Sequence, residues 1–284
     1  MNRTVNKCYS GEAVPLVTII TPVFNRKTLL VRAMNSVKKQ TFKSFEYIII
    51  DDGSTEDLDN VVIPFMDGAD FPVMYIKKEN GGVHTARNAG IKESRGKYIA
   101  LLDSDDEYFP YTLQRLAEKW EEIPEDKQKE YRDVVCRCVD QNGSPITPPF
   151  PEGINDLPWK EARKVAAGIR GELFGMLNGQ LMRDNPWPEP EGVTFVTESI
   201  LWEKLIPHYR SLFFNDTLRI YHIETEVSYS MRRKKTMQQI KNSRWQCMYT
   251  LNNPSIYIKG TKQYLKNILP QIRNYAPNMI QKRK

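Results

Sequence analysis

Cysteine, histidine and long apolar runs are scarce in this chain of 284 residues. It has 4 cysteines and 3 histidines. The Cys136 and Cys138 pair has the wrong spacing for a zinc site, and we expect both thiols to be reduced, on one face of a strand. The chain has no run of about 18 or more uncharged apolar residues, which is the length needed to cross a bilayer. Its first residues, MNRTVNKCYSGEAVP, also lack the apolar core of a secretory signal. These absences predict a cytoplasmic location.

Acidic residues are absent from the C-terminal tail. Residues 227–284 contain 13 Lys and Arg residues and no Asp or Glu. Positions 1–226 hold the other 28 basic residues against 35 acidic ones, a formal charge of −7, so the net charge of +6 hides an acidic body and a basic tail. With 40% hydrophobic and 27% charged residues, the composition is globular and excludes collagen-like, mucin-like and mostly disordered chains.

The first hundred residues alternate apolar runs with helical patterns. A strand at 16–24 precedes a helix at 28–40, and three further apolar runs end in DDGST, ENGG and DSDDE. Such runs, joined by helices, indicate a parallel sheet covered on both faces. In open sheets of this kind ligands bind beyond the carboxyl ends of the strands, so these polar loops should converge on one crevice.

The pattern changes in the second half of the chain. It predicts a hairpin with its turn at 141–144 and, after a Pro-rich loop at 145–158, a helix at 159–169. A helix capped by Thr197 and a returning pair of strands within 211–223 follow. Two amphipathic segments, about 236–251 and 260–272, then lie in the basic tail.

Three carboxylates crowd the end of one apolar run, at Asp103, Asp105 and Asp106. Their repulsion is reasonable if a cation joins them, and an Asp-x-Asp pair suits Mg²⁺ or Mn²⁺ completed by phosphate oxygens. An acidic turn or helix cap explains the same residues without a metal. The residues alone leave both interpretations open.

The neighbouring loops contain further candidates. Asp51 and Asp52 could accept hydrogen bonds from a ribose or a base, or form an Asx turn. Gly81 and Gly82 permit close approach of the main chain to a ligand. Arg87, near the start of a helix, could meet phosphate, although a lone arginine is also common at the surface.

The ordered motifs ITPVFNR, IIIDDGSTED and ENGGVHTARNAGIKESRGKYIALLDSDDEYFP resemble the nucleotide-sugar-binding half of family 2 glycosyltransferases. The resemblance is close over residues 15–115 and loose over 145–226, and it does not cover the tail. It implies a GT-A fold, an α/β architecture with a mostly parallel sheet flanked by helices, an acceptor-side subdomain and a helical C-terminal extension. It also implies an inverting transferase.

The resemblance assigns the donor pocket and the metal site residue by residue. The residues that would line the nucleotide pocket or contact the base and phosphates are Thr21, Pro22, Asp52, Asn80 and Arg87. Asp103 would contact the ribose or the metal, and Asp105 would hold Mn²⁺ or Mg²⁺ against the diphosphate. The cation would neutralise the charge that develops on the leaving nucleoside diphosphate.

The resemblance assigns the general base less directly. Family members usually supply it from a Glu-Asp pair that opens a helix, with a tryptophan four residues after the Asp. Counting back from Trp202 puts Glu198 at the Asp position and Thr197 at the Glu position, so a longer acid replaces the usual one. We expect Glu198 to be the base, although an acid is also favourable in a first helical turn without catalysis.

Four other side chains have a functional and a structural interpretation. His84 could touch phosphate from the Gly-rich loop, whereas His208 has no partner spacing. His222 could approach the diphosphate, but a structural role is favoured. Trp187 could stack on a sugar or belong to the core.

The chain therefore divides into an N-terminal extension (1–14), a nucleotide-sugar half (15–144), an acceptor half with the base (145–226) and a basic, mainly helical extension (227–284). We expect a UDP-sugar donor and a glycan or lipid-linked acceptor in cell-surface polysaccharide synthesis. A nucleotidyltransferase would need a Gly-rich phosphate loop after the first strand, which ITPVFNRKTLL lacks. A non-catalytic sugar- or lipid-binding protein with a degenerate site stays open.

Two interpretations of the basic tail stay open. It could pack its apolar side on the catalytic domain, or attach peripherally to the inner face of the plasma membrane. The residues that suit a membrane surface are Trp245, Met248, Tyr249, Ile256, Tyr257 and Tyr264. The cluster at 232–235 also suits nucleic acid, which the acidic body disfavours.

Overall fold

The structure is a computed structural model of the chain and describes residues 1–9, 14–152, 155–158, 161, 171–205, 208–223 and 237–253. Its strands are β1 (Asn2–Val5), β2 (Val17–Val23), β3 (Phe45–Asp51), β4 (Val73–Lys77), β5 (Tyr98–Leu101), β6 (Glu107–Tyr108), β7 (Tyr131–Asp140), β8 (Asp156–Leu157), β9 (Leu173–Asn178) and β10 (Arg210–Tyr221). Its α-helices are α1 (Lys27–Lys38), α2 (Asp59–Asp67), α3 (Val83–Glu93), α4 (Thr112–Glu121), α5 (Gly179–Asp184), α6 (Glu198–Leu205) and α7 (Met237–Asn252), with a 3₁₀ helix at Glu125–Glu130.

These strands form one sheet in the order β1-β4-β3-β2-β5-β9-β7-β10-β6, with β8 also paired to β10. The four strands β4, β3, β2 and β5 are mutually parallel. β7 and β10 run in the same direction as these four, whereas β1, β6, β8 and β9 run against them. The predicted α/β architecture with a mostly parallel sheet is confirmed, and the carboxyl ends of its central strands lie at one edge.

Helices cover both faces of the sheet because its central strands are apolar on both sides. Along β3, Tyr47 and Ile49 point into one core, which α1, α2 and α4 cover. Ile48 and Ile50 point into the other, which α3, α5 and α6 cover. This alternation follows from the two-residue period of a strand, and it explains why residues 47–50 of β3 are all apolar.

The outer parts of the sheet depart from the sequence prediction. Residues 210–221 form one long strand, so the predicted pair of strands is wrong. The polar residues at 215–216 suggest a turn, but here the register between β10 and β7 shifts around them. Asn215 instead exchanges two hydrogen bonds with the main chain of Phe150, at 2.7 and 3.2 Å. The turn at 141–144 is present, and a single bridge joins Val139 and Pro145 beside it.

Several predicted features lie outside the described residues. They are the helix at 159–169, apart from residue 161, the basic cluster at 232–235 and the amphipathic segment at 260–272. Among the helices that the structure does describe, none has the length and apolar character needed to cross a membrane.

A buried carboxylate joins the end of α3 to the middle of the sheet. Glu46 on β3 is fully buried and accepts hydrogen bonds from the Thr18 hydroxyl (2.8 Å), the Arg95 main-chain N–H (2.7 Å) and Arg95 Nε (2.8 Å). A buried charge is tolerated only when it is paired and hydrogen-bonded, so Arg95 is the partner that permits Glu46 in the core.

Replacing Arg95 by methionine should destabilise the fold, because it leaves the Glu46 carboxylate buried without its cation. We expect a loss of about 3 kcal/mol in the free energy of unfolding, measured by urea denaturation. Arg3→Met is the matched control, since Arg3 pairs with Glu93 at the surface and its loss should cost less than about 1 kcal/mol. Equal losses in the two variants would contradict this assignment.

Candidate active site

The Asp52 carboxylate organises the crevice at the carboxyl edge of the sheet. It follows β3, is 3% exposed and accepts hydrogen bonds from Lys78 Nζ (2.6 Å), Gly81 N (3.0 Å) and Gly82 N (2.7 Å). Asn80 Nδ2 donates to the Asp52 main-chain oxygen at 2.8 Å. These bonds hold the Gly-rich loop (residues 78–82) against the end of β3, so two of the predicted loops do converge.

A second segment covers the Gly-rich loop. We call residues 192–197, which lead into α6, the strap. Gly82 has φ +95°, and a Cβ atom there would lie 1.8 Å from the main-chain oxygen of Thr194 in the strap. Only glycine fits this position, both for its left-handed backbone and for the contact. The strap and the Gly-rich loop are therefore in direct contact.

Arg87 connects the acidic turn after β5 to the predicted base. It lies on α3, is 5% exposed and donates Nη2 to Asp103 Oδ1 at 2.8 Å. Its Nη1 donates to Glu198 Oε1 at the start of α6. The predicted phosphate, metal and base residues thus meet at one guanidinium, although Arg87 and Glu198 are 111 residues apart in the chain.

Arg87 forms an ion pair with each of two carboxylates, and these pairs shift the pKa values of Arg87 and Asp103. Burial lowers the pKa of Arg87, but Asp103 and Glu198 outweigh burial, so its pKa is raised above the ordinary value. Burial raises the pKa of Asp103, but Arg87 and then Arg219 lower it, so its net pKa is lowered. The side chains of Asp103 and Glu198 are 38% and 49% exposed, so both carboxylates stay open to a ligand.

Arginines also surround the acidic turn after β5. Arg26 pairs with the Asp105 carboxylate, and Arg32 donates to the Asp105 main-chain oxygen. Asp106 is buried, and burial raises its pKa to about 7 although Arg219, with Nε at 3.5 Å, opposes that shift. Cations of the chain itself therefore compensate much of the charge in this turn.

Asp103 and Asp105 can still hold a divalent cation together with phosphate. Both carboxylates are partly exposed, and the ion pairs with Arg87 and Arg26 each involve one oxygen. Oxygen ligands suit Mg²⁺ and Mn²⁺, and Mg²⁺ in particular commonly takes one or two carboxylates and completes its shell with substrate phosphates. Within the described ranges, no three His, Cys, Asp or Glu side chains form a metal site by themselves. An ion here would need oxygens of the donor.

The nucleotide-pocket residues on β2 are placed differently. The Thr21 side chain lies in the core, where its hydroxyl accepts a hydrogen bond from Tyr47 Oη at 3.0 Å, and Pro22 is also buried. Asn80, in contrast, is exposed at the crevice. The structure therefore places Asn80 against Asp52 and Arg87 against Asp103, while the Thr21 side chain faces the core.

The histidines and Trp187 have distinct environments. His84 is buried near the start of α3, and burial lowers its pKa. His222 Nε2 lies 2.7 Å from Glu107 Oε1, next to the acidic turn, whereas His208 is exposed. Trp187 is buried in the core beneath α3, so it belongs to that core rather than to an open sugar-stacking surface.

Besides Arg32, three cations of this site were not predicted from the sequence. Lys78 follows β4 and Arg26 follows β2, so both stand at the predicted crevice edge, and that position is a usable signal. Arg219 lies on β10 and approaches Asp106 of the acidic turn from a distant part of the chain. A strand residue of this kind gives no local sequence signal.

Comparison with known proteins identifies a family for residues 18–144 of the chain. Residues 18–144 match the family model described as Glycosyl transferase family 2. The chain carries a family 2 glycosyltransferase domain. An uncharacterised glycosyltransferase of Rickettsia bellii is 47% identical over 98 residues, which are 34% of this chain and 14% of that protein. The chain thus spans a minor part of that relative.

Two longer matches extend beyond this domain. The GalNAc(5)-diNAcBac-PP-undecaprenol beta-1,3-glucosyltransferase of Campylobacter jejuni is 26% identical over 231 residues, 80% of this chain and 71% of that enzyme. The crystal structure of Staphylococcus aureus TarS 1-349 in complex with UDP-GlcNAc superposes with a TM-score of 0.64 at 18% identity, covering 83% of this chain and 66% of that one. This likeness shows the GT-A fold.

Substituting Gly82 by alanine should displace the strap. Both Gly82→Ala and the control Gly143→Ala place alanine at positive φ (+95° and +80°), but only the first meets a neighbour, since nothing lies within 4 Å at Gly143. We expect the loss in unfolding free energy at Gly82 to exceed that at Gly143 by about 2 kcal/mol. Equal losses in urea denaturation would show that the strap does not press on this loop.

Proposed function

We propose that this chain is an inverting glycosyltransferase that moves a sugar from a nucleotide diphosphate donor, of the UDP-sugar class, to a hydroxyl of a glycan or lipid-linked saccharide. The contact of Arg87 with both Asp103 and Glu198 carries the proposal. It puts a carboxylate that can accept a proton beside the residues that would hold the donor diphosphate. A general base must lie within hydrogen-bond reach of the hydroxyl it deprotonates, so this proximity supports the assignment of Glu198.

The reaction follows from these positions. The acceptor oxygen attacks the anomeric carbon, and its proton passes to Glu198. The bond from that carbon to the diphosphate oxygen breaks, and its electron pair leaves with the nucleotide. Attack from the side opposite the diphosphate inverts the anomeric configuration. The Arg87 guanidinium, close to the same site, favours negative charge on the departing group.

The proposal includes a divalent cation, Mn²⁺ or Mg²⁺, held by Asp103 and Asp105. When bound, the ion supplies electrostatic stabilisation of the leaving diphosphate. The partly exposed carboxylates at the crevice edge support this assignment. Asp52 orders the Gly-rich loop and so would place Asn80 beside the nucleotide.

The relatives support the choice of donor and acceptor. TarS is described in complex with UDP-GlcNAc, and the name of the Campylobacter enzyme includes an undecaprenol-linked saccharide. We therefore propose a UDP-sugar donor and a lipid-linked acceptor in cell-surface glycan synthesis, with the chain acting at the cytoplasmic face of the membrane. The reason for a location at the membrane is that a lipid-linked acceptor is anchored there.

Glu198→Gln should lower the rate of transfer sharply and leave donor binding intact. Glutamine keeps the size of the side chain but cannot accept the proton, and loss of a general base costs on the order of 10² to 10⁴ in rate. Transfer is measured with a panel of UDP-sugars, and UDP affinity by calorimetry. Glu191→Gln is the matched control, because Glu191 is exposed and lies just before the strap. Unchanged transfer by Glu198→Gln would exclude Glu198 as the base.

Asp105→Ala should remove the stimulation of transfer by Mn²⁺ or Mg²⁺ while the protein still folds. A bound ion contributes several kcal/mol to the transition state, so we expect a loss of about a hundred-fold in metal-stimulated rate. The control is Asp70→Ala, because the Asp70 side chain is 73% exposed and pairs only loosely with Lys43, at 3.7 Å. Wild-type activity in Asp105→Ala would rule out the metal-site assignment.

Calorimetry with UDP, with and without Mn²⁺, followed by hydrolysis of a donor panel, separates the proposed enzyme from a binding protein. The enzyme binds UDP in a metal-dependent way and turns over a donor. Metal-dependent UDP binding without turnover of any donor would favour a sugar-binding module with a degenerate site.

A further inference from the structure

A row of three amide side chains lies along one face of α7, in the tail beyond the family 2 domain. Gln238, Asn242 and Gln246 are spaced four residues apart, which puts them on one side of a helix. Gln238 Nε2 donates to the main-chain oxygen of Gly192 at 2.8 Å. Gln246 Nε2 donates to the main-chain oxygen of Phe195 at 3.1 Å. Each end of the row therefore holds one residue of the strap.

Asn242, at the centre of the row, both accepts a hydrogen bond from the strap and donates one to it. Its Oδ1 accepts the main-chain N–H of Thr194 at 3.1 Å, and its Nδ2 donates to the Thr194 hydroxyl at 3.3 Å. Asn242 is 2% exposed, so these bonds form away from solvent. A buried amide that loses its partners costs about 1 to 3 kcal/mol, so this contact fixes the strap in one register along α7.

Apolar contacts hold α7 in place beside the amide row. Trp245 and Tyr249 pack against the core that contains Ile200 and Leu201 of α6. Met248, in contrast, is 51% exposed. The interpretation in which the tail packs its apolar side on the domain thus holds for α7. The membrane interpretation stays a prediction for the residues beyond 253, where the aromatic and apolar positions 256, 257 and 264 lie outside the described chain.

The strap is held from two sides. On one side, the main-chain oxygen of Thr194 packs directly against Gly82 of the Gly-rich loop. On the other side, the amide row of α7 forms hydrogen bonds with residues 192–195. The strap then runs directly into Glu198, whose carboxylate accepts from Arg87. A shift of the strap would therefore move the base relative to the donor side of the crevice.

We propose that α7 is a positioning element of the active site and that Asn242 is its central positioning residue, acting through the strap on Glu198. This inference rests on the proposed function, in which Glu198 is the base. Misplacement of a catalytic group by about 1 Å can cost 10²-fold in rate, so loosening the strap should lower the rate at saturating donor. The basic tail thereby gains a role in catalysis through uncharged residues.

Asn242→Ala tests the inference in the full chain, with Asn252→Ala as control. Asn252 is an exposed asparagine at the end of the same helix. We expect kcat for transfer to fall at least about ten-fold in Asn242→Ala, with the donor KM changed less than about three-fold, and to stay within about two-fold of wild type in Asn252→Ala. If Asn242→Ala does not fold, Gln238→Ala removes the bond to Gly192 of the strap and a second bond, from Gln238 Nε2 to Asn242 Oδ1 at 3.1 Å, but keeps both Asn242–Thr194 bonds, so it should give a smaller loss of the same kind.

A double-mutant comparison separates positioning from general destabilisation. If Asn242 acts through Glu198, Asn242→Ala should lower kcat in the wild-type background but not in the Glu198→Gln background. The double variant should therefore have the same residual rate of transfer as Glu198→Gln alone. An equal fold reduction of kcat in both backgrounds would overturn this inference and leave the proposed function intact. A wild-type kcat in Asn242→Ala, together with a strongly lowered rate in Glu198→Gln, would have the same consequence. Wild-type transfer by Glu198→Gln would overturn the assignment of the base and this inference with it.

Discussion

The candidate site depends on the ion pairs that the Arg87 guanidinium forms with two carboxylates. The guanidinium is buried on α3 and is shared by Asp103, after β5, and Glu198, at the start of α6. These carboxylates come from the two halves of the chain, which the family model covers only in part. Without the cation between them, two acids would share one edge of the crevice with no compensating charge, which is unfavourable. Arg87 therefore permits Glu198, the proposed base, to lie beside the proposed donor site.

Close packing around the Gly-rich loop supports this arrangement. Asp52 holds that loop from the sheet side through main-chain N–H groups, and the strap covers it from the other side. The strap in turn is bound by the amide row of α7. The sheet, the loop, the strap and α7 thus form successive layers, and the first residue after the strap is the proposed base. A displacement in any layer would be transmitted to Glu198.

Much of the central fold and part of the site could be predicted from the sequence. The strands β2 to β5 are buried on both faces, so they appear as apolar runs, and Asp52, Asp103 and Asp105 stand out because each follows such a run. β1 cannot be found in this way, because all four of its residues are exposed and it is defined by pairing with β4. The contact of Arg87 with Glu198 joins residues far apart in the chain, so local patterns do not reveal it. The spacing of the amides on α7 is visible in the sequence, but only the structure identifies their partner, the main chain of the strap.

A crystal structure of the full chain with UDP and Mn²⁺ would show whether the proposed donor site and the proposed base form one unit joined by Arg87. We expect the diphosphate and the ion to lie against Asp103 and Asp105, with the Glu198 carboxylate facing the open side of the diphosphate and Arg87 beside both. A nucleotide bound away from the acidic turn, or a Glu198 side chain separated from the crevice by the strap, would contradict this expectation.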